Sequence, residues 1–194
     1  MKRRMVHFFA TLLALIAFTV AGSAFAGPAT DMVKTKQTAL FDLLRQGNQP
    51  KIDAVFDEML DYQALAEASL GDEWAPRSDA EKAQFSGLLK QLVRNAYQRN
   101  LKKIIDYEVA YLGDEPAGDA TLVKTTSKPK DPREDPVEIN FRLVTDGKGW
   151  KVQDIITEGA SMVGGFHRDF KKVITKDGFP TLIQKMKDKL AKGN

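Results

Sequence analysis

The chain has 194 residues, 43% hydrophobic and 28% charged, a balance that fits one globular domain and excludes a disordered or fibrous chain. It contains no cysteine, which excludes disulfides, thiolate nucleophiles, cysteine-ligated metals and the acylated cysteine of a bacterial lipoprotein. Formal charge is +3, but three of the 29 basic side chains are Lys2, Arg3 and Arg4, and residues 5–26 carry neither Lys, Arg, Asp nor Glu. Beyond residue 26 the chain is neutral, 26 basic against 26 acidic, with no broad electrostatic footprint for nucleic acid.

The first 26 residues read as a secretory leader: a basic start, an apolar stretch from Phe8 to Val20, and the small–x–small triplet Ala24-Phe25-Ala26. Cleavage is expected after Ala26, leaving residues 27–194 as a single exported domain. No later apolar run approaches the ~20 residues needed to span a bilayer.

The following elements read first as helices. Val33, Leu40, Phe41 and Leu44 recur at helical spacing and end at Gly47-Asn48. Pro50 suits the first turn of a second helix carrying Ile52, Val55 and Phe56. Asp61 is placed to cap a third, which bears Leu65 and Leu70 and stops at Gly71. Ser78 and Glu81 form a capping box ahead of a long helix from about Asp79 to Ile105, with Phe85, Leu88, Leu89, Leu92, Val93, Ala96, Tyr97, Leu101 and Ile104 on one stripe. From Tyr107 the period becomes two: Tyr107/Val109/Tyr111, Val123/Thr125, Val137/Ile139/Phe141/Leu143 and Trp150/Val152/Ile156 mark four strands, with a tight turn at Asp146-Gly147. Ser161 then caps a helix with Met162, Val163, Phe166, Phe170, Val173 and Ile174, and Pro180 opens another with Leu182, Ile183, Met186 and Leu190. The pattern predicts an α+β domain in which helices pack on the apolar face of a curved four-stranded antiparallel sheet, an NTF2-like core with added helices.

Chemistry-bearing residues are sparse. His167 is the one histidine outside the leader, too few for the usual zinc ligand sets, and no metal is expected. Gly159-Ala160-Ser161 begins like a nucleophile elbow, but Val163 stands where the second glycine belongs. Asp154 and Glu158 share the parity of Trp150, Val152 and Ile156, so strict alternation points them at the apolar face. There Asp154 is the candidate general base of an enzyme alternative, of the kind known from ketosteroid isomerase relatives.

Three stretches carry a resemblance from about Val33 to Leu190. The first runs Phe56-Asp57, Leu70-Gly71, Trp74, Ser78-Asp79-Ala80-Glu81 and Phe85; the second is Leu92-Val93-Arg94-Asn95-Ala96-Tyr97. The third is Trp150-Lys151-Val152-Gln153-Asp154-Ile155-Ile156, continuing into Glu158-Gly159-Ala160-Ser161-Met162-Val163. In order and spacing they resemble the MlaC family of periplasmic phospholipid-binding proteins, also known as toluene-tolerance auxiliary proteins. Phe166-His167 departs from the Tyr-Arg pair common there, with Arg168 one place later.

The resemblance implies a non-enzymatic carrier without cofactor whose cargo is a phospholipid, held by its acyl chains. It also implies two partners in maintaining outer-membrane lipid asymmetry: an outer-membrane lipoprotein complex and an inner-membrane ABC transporter with a ring-forming lipid-binding subunit. Related proteins also carry hopanoids, so an isoprenoid lipid is the alternative cargo. The expected lining is Phe85, Leu88, Leu92 and Tyr97 from the long helix, Val123, Ile139, Phe141, Val152 and Ile156 from the sheet, and Met162, Val163, Phe166 and Phe170 from the following helix. The expected hollow lies at or above the top of the ~300–1,000 Å³ range of ordinary ligand pockets.

Overall fold

The computed structural model describes residues 27–145 and 147–192. The leader 1–26, with its cleavage point after Ala26, and Asp146 of the expected turn lie outside the described residues. Six helices and five strands follow in the order α1 (Pro28–Gln46), α2 (Gln49–Met59), α3 (Tyr62–Leu70), α4 (Asp79–Ile104), β1 (Glu108–Ala117), β2 (Ala120–Lys128), β3 (Val137–Thr145), β4 (Trp150–Thr157), β5 (Ala160–Ser161), α5 (Met162–Asp177) and α6 (Phe179–Ala191).

Local chemistry sets the helix boundaries. Gly47 closes α1 in the left-handed region (φ 66°), where a side chain would be strained. Asn48 and Asp61 cap α2 and α3 through their side-chain oxygens, which accept from the Lys51 and Ala64 amides. At α4 the capping box is reciprocal: the Ser78 amide donates to Glu81 Oε2 at 2.9 Å and the Glu81 amide to Ser78 Oγ at 3.3 Å. Asp114 on β1 accepts from the Thr30 amide and hydroxyl, tying the start of α1 to the sheet.

All strand pairs are antiparallel, in the spatial order β1-β2-β3-β4-β5. The sheet has one strand more than the sequence indicated, because β5 is only two residues long and leaves no period to read. Glu158 (φ 49°) and Gly159 (φ 73°) join β4 to β5; a two-residue hairpin turn of the primed kind needs positive φ at both positions. The β1–β2 register skips Leu112, a bulge beside Gly113 (φ 103°) that leaves Leu112 exposed. A second bulge matters more for function. Leu143 pairs with Val152, but Arg142 pairs with Asp154, so Gln153 is the extra residue on β4. Beyond it Ile155, opposite Phe141, faces the helices, and Ile156 does not.

The free edge at the start of β4 is covered by the α2–α3 corner, where Leu60 bridges Val152 and the Asp61 amide donates to the Val152 carbonyl at 3.0 Å. Between helices and sheet, Phe56 of α2, Tyr97 of α4 and Phe141 of β3 meet edge-on, with ring centroids 5.2 and 6.5 Å apart. Farther along α4, Phe85 packs edge-on against Phe170 of α5 at 5.5 Å. α6 rests on α4 and α5 rather than on the sheet.

Candidate functional site

The interlayer space is filled at its centre and open at one flank. Along the C-terminal half of α4, Ala96, Tyr97, Asn100 and Ile104 form one wall. Ile139, Ile155 and Thr157 from the ends of β3 and β4 form the other. The first turns of α5, with Met162, Gly165 and Phe166, close a pocket of about 350 Å³ at one end. Tyr107 and Val137 close one of about 270 Å³ at the other. The two share Asn100 and Thr157, and beneath them a neck of about 20 Å³ runs between Gln37, Tyr97, Ile139 and Ile155. A separate cleft of about 160 Å³ separates α4, α5 and α6, lined by Leu92, Phe166, Phe170 and Met186 among others.

The expected single large hollow is therefore divided. The Phe56–Tyr97–Phe141 contact occupies the middle of the interlayer, and the 350 Å³ pocket beside it opens where small side chains (Ala96, Ala160, Gly165) stand.

Among the thirteen expected lining residues, Leu92, Tyr97, Ile139, Met162, Phe166 and Phe170 border these cavities. Phe85, Val123, Phe141 and Val152 are wholly buried in the core and border none of them, and half-buried Leu88 and Val163 pack against that core. Ile156 faces away from Phe141, and the wall position belongs to Ile155 because the Gln153 bulge shifts the parity. Ala96, Asn100 and Thr157 also line the groove without having been singled out. Ala96 is small and sits on the apolar stripe, where size could have marked it; nothing in the pattern marks Asn100 or Thr157.

Polar atoms lie along the floor. Tyr97 is 6% exposed and its hydroxyl has no hydrogen-bond partner among the described residues. Burial drives its pKa upward, and the neighbouring Tyr111 phenol adds to the shift. Tyr111, pushed up to about 12 by burial, donates to Gln37 Oε1 at 3.0 Å. The neck beside Tyr97 is large enough for about one water, since a site needs roughly 10–15 Å³.

Asp154 does not present its carboxylate to the groove. Its Oδ1 accepts from the Ile155 amide (2.8 Å) and the Val163 amide (3.0 Å), and its Oδ2 accepts from the Ser161 hydroxyl. Ser161 Oγ in turn accepts from the Gly164 amide at 2.8 Å. The aspartate and serine together anchor the exposed amides at the start of α5 to β4. Parity placed Asp154 inward; the bulge turns it to the helix terminus, which gives the Trp150–Val163 motif a structural reason. Glu158 also serves the backbone, accepting from the Glu138 amide at the turn. His167 is half-buried against Gly71 (φ 56°), with a buried Nδ1 that has no hydrogen-bond partner among the described residues. Among the described residues no three His, Cys, Asp or Glu side chains are grouped to hold a metal ion.

An open antiparallel sheet backed by helices, with an apolar-walled groove between the layers, is the architecture of an α+β binding module. The chain belongs to the MlaC protein family, whose model matches residues 30–188. A solved structure from Ralstonia solanacearum, described as a phospholipid-binding protein in complex with a phospholipid, shares the fold. The match has a TM-score of 0.72 at 24% identity, covering 86% of this chain and 99% of that one.

Proposed function

We propose that the protein is a periplasmic phospholipid carrier that takes acyl chains into the groove between α4, the ends of β3 and β4, and the start of α5. One observation carries the reading: an apolar flank groove, floored by a buried and unpartnered Tyr97 hydroxyl, in a chain of the MlaC family. The fold likeness to a Ralstonia solanacearum protein solved with a phospholipid supports it. A lipid with two sixteen-carbon chains buries about thirty methylenes, and at ~0.8 kcal/mol each its exposure to water costs on the order of 20 kcal/mol. Release into water is then negligible, so cargo passes only by contact between apolar surfaces. After export and cleavage behind Ala26, the carrier exchanges lipid with an outer-membrane lipoprotein complex and an inner-membrane ABC transporter, maintaining outer-membrane lipid asymmetry. No chemical step on the lipid is involved.

Organic extraction of protein purified from a periplasmic fraction, followed by mass spectrometry, tests this. Diacyl phospholipid near one molecule per chain is the expected result. A hopanoid or other isoprenoid as the sole extract, or no lipid at all, would overturn the phospholipid assignment.

A further inference from the structure

Neutrality of the exported chain conceals a segregation of charge. Residues 27–161 hold 18 Lys and Arg against 23 Asp and Glu, whereas residues 162–192 hold 8 against 3, so α5, α6 and the capping Lys192 carry +5 and the rest −5. All eight cations of the hairpin are exposed, and only Lys185 is in an ion pair, with Asp177 at 3.1 Å. The side chains of Arg168, Lys171, Lys172, Lys176, Lys187, Lys189 and Lys192 take part in no ion pair or hydrogen bond among the described residues. Elsewhere some cations have carboxylate partners, Lys36 with Glu58, Arg77 with Glu73, Lys90 with Asp57, and Arg94 with Asp53 and Asp57, and acidic residues outnumber basic ones. Seven uncompensated cations on two packed helices repel one another, a cost that an anionic counter-surface removes.

Their position gives the patch a use. Arg168 lies at the 350 Å³ pocket, and Lys185 and Lys189 at the cleft between α4, α5 and α6, so the basic surface adjoins the openings through which an acyl chain would pass.

We propose that the α5–α6 hairpin is an electrostatic docking face for an anionic phospholipid bilayer, which sets the groove openings against the headgroup layer. This rests on the carrier reading: a cargo that cannot cross water moves only where the groove openings are brought against another apolar reservoir, and holding a carrier at the bilayer keeps them beside one. Each basic side chain near an anionic membrane strengthens partitioning about fivefold, so a few of the seven suffice for reversible docking that weakens with salt.

The test is co-sedimentation of the full exported chain with vesicles of pure phosphatidylcholine and of phosphatidylcholine with one part in three phosphatidylglycerol, at low and high salt. Binding is expected only to the anionic vesicles at low salt. Reversal of four hairpin lysines (Lys171→Glu, Lys172→Glu, Lys176→Glu, Lys187→Glu) should reduce it by more than about tenfold. Four reversals elsewhere (Lys51→Glu, Arg99→Glu, Lys102→Glu, Lys128→Glu) make the same change in net charge and should reduce it by less than about threefold. Thermal unfolding of both variants verifies that they fold, and a misfolded variant is replaced by alanine substitutions at the same four positions. Equal loss in the two sets, equal binding to neutral vesicles, or no vesicle binding by the native chain would overturn the proposal; the last result points to an acidic protein as counter-surface. Extracted lipid is measured on every variant: cargo retained without vesicle binding sinks the docking face alone, and vesicle binding without cargo sinks the carrier reading alone.

Discussion

The centre and the flank of the interlayer are built by the same helix and finish differently. At the centre, Tyr97 of α4 is held between Phe56 and Phe141, and no cavity opens between those rings. One turn on, Asn100 faces a pocket of about 350 Å³ whose far side includes Ala160, Thr157 and Gly165, and beyond it Ile104 borders one of about 270 Å³ with Val137, Ile139 and Thr157. An apolar stripe thus specifies which face of a helix is covered. Side-chain volume across the gap decides whether the cover is solid.

Breaking the solid side should have the largest effect. Phe141→Ala removes a wholly buried ring and should cost about 3–5 kcal/mol in urea unfolding; a loss near 1 kcal/mol would mean the centre collapses or is looser than the ring contacts indicate. Asp154→Ala strips two hydrogen bonds from the start of α5 and one from the Ile155 amide of β4, and should cost about 2 kcal/mol. Lipid bound per folded molecule should stay unchanged, which a catalytic or ligand-touching role for Asp154 would not allow.

The buried phenols supply a pH test. Tyr62 and Tyr111 are pushed up to about 12, chiefly by burial, from an ordinary value of 10.0. Between those values the unfolded phenols lose protons while the folded ones keep theirs, so stability should fall as pH rises from about 10 to about 12. Urea midpoints at pH 8 and at points in that window measure the slope. Tyr97→Phe, which keeps the ring and deletes a further phenol whose pKa burial raises, should lessen the slope and leave the part owed to Tyr62 and Tyr111. The smallest stability effect belongs to the open side. Ala96→Phe places a ring where a cavity already exists, so stability should move by no more than about 0.5 kcal/mol while extractable lipid falls at least about tenfold. Full lipid occupancy in that variant would move the cargo away from this groove.

Much of the fold was legible because its boundaries rest on local chemistry. Ser78 with Glu81, Asp61, Gly47 and Pro50 act within a few residues of chain, and each helix they delimit begins or ends where the pattern places it. The site was less legible, for a non-local reason. Alternation carried from Val152 to Ile156 fails at Gln153, where one extra residue opposite Arg142 and Leu143 exchanges Ile156 for Ile155 on the groove wall and sends Asp154 to the helix terminus. No periodicity within β4 contains that information; it depends on register with β3. Phe85, Val123, Phe141 and Val152 share the hydrophobicity of Met162 and Phe166, and only tertiary placement separates core from wall.

The bulge at Leu112 bears on a hazard of a different kind. β1 ends the sheet order, and a flat end strand is a template on which a second copy could add its own edge and begin to aggregate. Skipping Leu112, bending at Gly113 and placing Pro116 near the strand end interrupt that template, since the proline offers no amide for a ladder. Crowded copies are thereby denied a regular backbone edge along which to polymerise.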